Sequence, residues 1–148
     1  MSSSPIRSFE QLHHHLAQLP SRCRVAVAHP ADAHTLQAVL NAVHLGFVEA
    51  FLVGEVHAPL LEKLSSETAA WVHHIPASDA GAAMQQAVQM VHDGEADALM
   101  KGLVNTDDLL RHVLNKTYGL RQEGAVISHV AAFHLPILER IVLMTDVA

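Results

Sequence analysis

From residue 25 to residue 114, short apolar runs alternate with longer stretches in which apolar residues recur every three or four positions. Runs at 25–28 (Val-Ala-Val-Ala) and 50–53 (Ala-Phe-Leu-Val) read as short apolar strands, 71–75 as a less apolar one, and 98–100 (Ala-Leu-Met) is too short for a helix and suits a strand covered on both faces. Between the first two, Leu36, Val39, Leu40 and Val43 stand at i, i+3, i+4 and i+7, the stripe of an amphipathic helix that Gly46 stops. A second helix is expected over 56–64, with Pro59 in its first turn. A third starts at Ser78 and Asp79, carries Met84, Ala87, Val88 and Val91, and ends at Gly94. The result is four strand–helix units in succession, preceded by a helix capped by Ser8, bearing Phe9, Leu12 and Leu16, and ended by Pro20. After them, 125–133 reads as a long strand, Pro136 as a turn and 141–144 as another strand. Too few residues join those two for a crossover helix, so they pair antiparallel. The whole chain, 1–148, is expected to form a single α/β domain of three layers, αβα, with a mostly parallel mixed sheet.

The densest stretch is 96–110, where a buried strand, a glycine turn and a helix start follow within fifteen residues. Lys101 is its one cation and sits at the junction, followed by Gly102, which lets the backbone turn. Asn105 or Thr106 caps the next helix, Asp107 and Asp108 occupy its first turn, and Leu109, Leu110, Val113 and Leu114 form its stripe. A lysine at the carboxyl end of such a strand faces the crevice in which open α/β sheets bind ligands.

Composition narrows what that crevice serves. Fifteen acidic against nine basic residues give a formal charge of -6 with no basic run, so the footprint of a nucleic-acid binder is missing. The nine cations are Lys63, Lys101, Lys116, Arg7, Arg22, Arg24, Arg111, Arg121 and Arg140, few enough to weigh one by one. Cys23 is the single cysteine, which excludes an internal disulfide framework and points to the cytoplasm. The first residues lack the apolar core of a signal peptide, and no run approaches the ~18 apolar residues of a membrane span. Thirteen histidines invite a metal reading. His13, His14 and His15 point in different directions around a helix, and the pairs His29/His34 and His73/His74 lack ordered acidic partners, so no metal site is expected.

Several pieces, taken in order, are distinctive: 97–107 (Asp-Ala-Leu-Met-Lys-Gly-Leu-Val-Asn-Thr-Asp), Gly119-Leu120-Arg121, Ile127-Ser128-His129-Val130 and Thr145-Asp146-Val147-Ala148. With His29-Pro30 after the first strand and Leu52-Val53-Gly54 in the second, they resemble the phosphate acetyltransferase and phosphate butyryltransferase family from about residue 20 onward. The resemblance implies reversible acyl transfer, in which acyl-CoA and inorganic phosphate give acyl phosphate and CoA, with both as substrates and no further cofactor. It implies the fold shared with isocitrate and isopropylmalate dehydrogenases, two α/β domains around a cleft. Members of the family are longer, and this chain matches their amino-terminal half. A Ser-Arg pair and an Asp used in CoA-thiol chemistry belong to the other half, so the chain is expected to be inactive alone and to work with a complementary chain or as a homo-oligomer.

Phosphate oxygen must attack a thioester carbonyl, so a complete site holds a dianion, stabilises an oxyanion and manages the leaving thiolate. Lys101, Gly102 and Arg121 are the candidates for anion binding, although Lys101 also fits a solvated turn lysine and Arg121 a surface arginine. Asp107 and Asp108 count against a phosphate directly on their helix start. Ser128 and His129, read as part of a strand, point to opposite faces and so do not act on each other. Ser128 is a candidate substrate contact, and His129 either a base near neutrality or a structural histidine. Asp146 either orients a ligand or caps a following element. Besides an acyltransferase half, two other classes fit: a non-catalytic domain retaining a phosphate or CoA pocket, and a subunit-interaction module.

Overall fold

The structure is a computed structural model that describes residues 5–122 and 124–145. Its order is α1 (Phe9–Ala17), β1 (Cys23–Ala28), α2 (Ala33–His44), β2 (Val48–Val53), α3 (Ala58–Leu61), α4 (Ser66–Ala69), β3 (Val72–Ile75), α5 (Ala80–His92), β4 (Ala98–Lys101), α6 (Thr106–Val113), β5 (Val130–Leu135) and β6 (Arg140–Thr145), with a 3-10 turn over Pro136–Leu138. The expected helix at 56–64 is instead two short ones, α3 with Pro59 in its first turn and α4 capped by the Ser65 hydroxyl.

The first four strands form one parallel sheet in the order β3-β2-β1-β4. Because side chains alternate along a strand, the sheet has two apolar faces. Val27, Val48, Ala50 and Leu52 meet Leu36, Val39, Leu40 and Val43 of α2 on one side. Ala26, Ala28 and Val53 meet Ala83, Met84, Ala87 and Val88 of α5 on the other, joined by Leu109 of α6. That is the αβα layering that the apolar spacing predicts, and Leu36, Val27 and Leu52 are fully buried within it. Asp32, Asp79 and Asn105 cap α2, α5 and α6, each accepting a backbone N–H of the first turn.

The antiparallel pair differs from expectation in two respects. β5 and β6 form their own two-stranded sheet and do not join the parallel one. Pairing also begins at Val130, opposite Thr145, so residues 125–129 are irregular and exposed, not strand. The ribbon carries much of its apolar surface outside: Ile137 is 91% exposed and Leu143 67%.

Candidate functional site

The carboxyl ends of the parallel strands form a continuous crest. Lys101 pairs with Ala28 at the top of β4 and β1. The ladder runs on past the strand ends: Gly102 N–H donates to the Ala28 carbonyl at 3.0 Å, His29 N–H to Val53 at 2.8 Å and Gly54 N–H to Ile75 at 2.8 Å. Leu103 N–H then reaches the His29 carbonyl at 2.9 Å. Gly102 is buried, and a Cβ there would fall on the carbonyl oxygens of Ala28 and His29. Glycine at 102 is therefore what lets the loop after Lys101 lie against the end of β1.

The Lys101 side chain curls over this loop. Its ammonium donates to the Val104 carbonyl at 2.9 Å and to the Gly102 carbonyl at 3.4 Å. An ammonium has three donors, so these two bonds leave one unused. Asn105 then starts α6, with its side chain accepting from Asp107 N–H at 2.8 Å.

His29 is the crest residue that sequence reading did not single out for a role. Its backbone is left-handed, φ 58°, which is uncommon for a side-chain-bearing residue. Its Nδ1 is buried and finds no hydrogen-bond partner among the described residues. The ring lines a pocket of about 280 Å³ with Gly54, His74 and Ser78, between the ends of β1, β2 and β3 and the start of α5. Gly54 also has positive φ, 94°, and a Cβ there would lie 2.7 Å from that of Ala83. Left-handed backbone at a side-chain-bearing residue is a feature that clusters at active sites and ligand clamps. In the sequence its one signal is a polar residue placed between an apolar run and a proline.

The remaining candidates are dispersed. Arg121 lies past the carboxyl end of α6, in a pocket of about 520 Å³ with Leu114, Asn115 and Lys116, whereas Lys101 is at the amino end of that helix. Ser128 and His129 are exposed in the irregular segment before β5, so the opposed orientation expected of strand neighbours does not apply to them. Asp146 lies outside the described residues. Among the described residues no group of three or more His, Cys, Asp or Glu is placed to hold a metal ion, and no helix is long and apolar enough to cross a membrane.

A parallel sheet covered by helices, with Lys101 and a glycine loop at its carboxyl crest, defines an α/β domain of the open-sheet type. Comparison with known proteins gives it a family. Residues 76–148 match the family model described as "Phosphate acetyl/butaryl transferase". The phosphate butyryltransferase of Clostridium beijerinckii is 36% identical over 145 residues, 96% of this chain and 47% of that protein. That of Clostridium acetobutylicum is 39% identical over 128 residues, 84% of this chain and 42% of its own. A branched-chain phosphotransacylase from Enterococcus faecalis V583 superposes with a TM-score of 0.65 at 28% identity, over 84% of this chain and 42% of that one. The chain matches the phosphate acetyl/butyryl transferase family and spans about half the length of the relatives it matches.

Proposed function

We propose that this chain supplies the amino-terminal half of a phosphate acyltransferase site, for the reaction of acyl-CoA with inorganic phosphate to give acyl phosphate and CoA. The observation that carries the reading is Lys101 and Gly102, set at the crest of β4 against Ala28 and His29 within the stretch that matches the family. In the reaction a phosphate oxygen bonds to the thioester carbon, the C–S bond breaks, and the proton lost by phosphate ends on the CoA sulfur. Lys101 offsets the repulsion that a phosphate dianion meets on approaching the developing oxyanion. Its two hydrogen bonds to loop carbonyls fix the ammonium in place beforehand, which lowers the entropic cost of engaging the anion. Arg121 contributes positive charge to the bound substrate, Ser128 and Asp146 serve as substrate contacts, and His129 acts as a base toward phosphate.

The second half of the cleft is supplied by a complementary chain or by association of copies. The apolar outer surface of the β5–β6 ribbon supports this, because large exposed apolar areas mark surfaces that another protein covers. A cytoplasmic setting accords with the single cysteine at 23. The test is a thiol-release assay with acetyl-CoA or butyryl-CoA and phosphate. The isolated chain is expected to release little CoA, and release to rise when the carboxyl-terminal half of a phosphate butyryltransferase is added. Robust phosphate-dependent release by the chain alone overturns the half-site reading.

A further inference from the structure

At the amino end of the parallel sheet, opposite the crest, lies a pocket of about 660 Å³ whose walls include Leu19, Arg22, Arg24, Glu49, Trp71 and Asp97. That volume falls in the range of small-molecule sites. Arg22 is built into the wall. Its Nη1 donates to the Val43 carbonyl at 2.8 Å and to the Val48 carbonyl at 3.1 Å, and the guanidinium carbon stands 4.2 Å from the centre of the Trp71 ring. Two carbonyls and an aromatic face thus fix the plane and direction of the group. Nη1 has two hydrogens, one for each carbonyl, so the edge formed by Nε–H and Nη2–H remains, and it has no partner among the described residues. That edge is a two-pronged donor with the spacing that a carboxylate accepts.

The other charges of the pocket sort into a pair and a remainder. Arg24 is turned to Asp97, to which its Nε donates at 3.1 Å, its Nη2 at 2.6 Å and its backbone N–H at 2.9 Å, although the field of Glu49 also reaches it. Glu49 is the remainder. Its Oε1 lies 2.8 Å from His73 Nε2, and its Oε2 has no partner among the described residues. Arg22 and Glu49 carry opposite charge and line one pocket, yet they form no ion pair with each other, because the arginine is committed to the two carbonyls and to Trp71. A ligand that meets both must present a carboxylate and a cationic donor close together. A free α-amino acid has them on one carbon, whereas a peptide end or a simple acid has only one of the two. A phosphate dianion is disfavoured, since Glu49 and Asp97 would repel it. Leu19, 49% exposed, and Trp71, 38% exposed, supply apolar surface that a bulky apolar side chain would take out of water.

We infer that this pocket binds a free α-amino acid with an apolar side chain. Its carboxylate lies on the Nε and Nη2 edge of Arg22, its ammonium on Glu49 Oε2, and its side chain beside Trp71 and Leu19. Arg22 directly precedes β1, and Lys101 pairs with the far end of that six-residue strand, so roughly 20 Å of sheet separates the two sites. The assignment is therefore independent of the acyl-transfer reading.

Calorimetric titration of the full chain with L-phenylalanine, and with two relatives that each lack one charge, tests it. Phenethylamine has no carboxylate, and hydrocinnamate has no ammonium. The wild-type chain should bind L-phenylalanine saturably at millimolar concentration and each relative about tenfold or more weakly, as expected for losing one charge-assisted contact. Arg22→Lys, which keeps the charge but loses the fork, and Glu49→Gln, which keeps the shape but loses the charge, should each weaken L-phenylalanine binding by about the same factor. Lys63→Ala, a charge removed elsewhere, should leave it unchanged. Circular dichroism verifies that the variants are folded, and the ligand series reads the assignment on the unaltered protein. No saturable binding of L-phenylalanine, a one-charge relative that binds as tightly, or unchanged affinity in folded Arg22→Lys and Glu49→Gln proteins overturns the inference.

Discussion

Gly102→Ala is the smallest change that attacks the crest directly. The added methyl meets backbone, not a flexible side chain: it would fall on the carbonyl oxygens of Ala28 and His29 and lie 2.7 Å from the His29 carbonyl carbon. The loop must lift from the end of β1, losing the bonds from Gly102 N–H to Ala28 and from Leu103 N–H to His29. Two hydrogen bonds at about 1 kcal/mol each, with about 1–3 kcal/mol for overpacking, put the cost on the order of 3–5 kcal/mol. With a urea m-value of roughly 1–3 kcal/mol per molar, the unfolding midpoint drops by about 2 M. Gly81→Ala is the control, because its Cβ would meet only the Asp79 Oδ1 atom, at 3.1 Å, and the site lies inside α5. There alanine lowers the entropy of the unfolded chain but crowds the Asp79 carboxylate that caps α5, and the expected change is within about 1 kcal/mol of wild type. Urea denaturation followed by circular dichroism reads both. A Gly102→Ala protein within about 0.5 kcal/mol of wild type would refute the claim that close backbone approach shapes the Lys101 loop.

Other outcomes follow from the same structure. Asp97 is held below the usual carboxylate range by hydrogen bonds from the Arg24 side chain and from Arg24 N–H, Asp32 by the Thr35 side chain and N–H, and Asp79 by Ala82 N–H and the Ser78 hydroxyl. A carboxylate with a lowered folded-state pKa stabilises the fold above its unfolded value, about 4, and loses that contribution as pH falls through the folded value. The urea midpoint should therefore decline below about pH 4, and Asp97→Asn should flatten the decline; an unchanged slope in that variant would contradict the Arg24–Asp97 account. In light scattering the isolated chain should self-associate, through the β5–β6 ribbon, where Ile137 is 91% and Leu143 67% exposed. Ile137→Lys with Leu143→Lys should shift it to monomer, and a wild-type monomer at high concentration would count against the covered-ribbon proposal.

Much of this architecture is legible in the apolar spacing, for a physical reason. The last four residues of β1 and of β2 are covered on both faces, so they read as unbroken apolar runs, and the stripe of α2 covers one of those faces. Asp32, Asp79 and Asn105 announce helix starts because a cap depends on residues two or three positions away. Residues 125–129 mislead because Val126 and Ile127 have the side chains of a strand, yet a strand is defined by its partner and pairing starts at Val130. The independence of the β5–β6 ribbon is hidden likewise, since an apolar pattern does not name the edge it will pair with. At the site, Lys101 and Gly102 are legible as a cation and a turn at a strand end. Their closure onto Ala28 and His29 is a contact between distant residues that no local pattern encodes. The left-handed backbone of His29 is equally invisible, because local preference before proline favours extended backbone.

The central claim is that the ammonium at the head of β4 anchors phosphate. Calorimetric titration of inorganic phosphate into the wild-type chain and into Lys101→Ala, at one fixed ionic strength, tests it most directly. The account predicts saturable binding that weakens about tenfold or more on losing the lysine. Superimposable isotherms for the two proteins would contradict it.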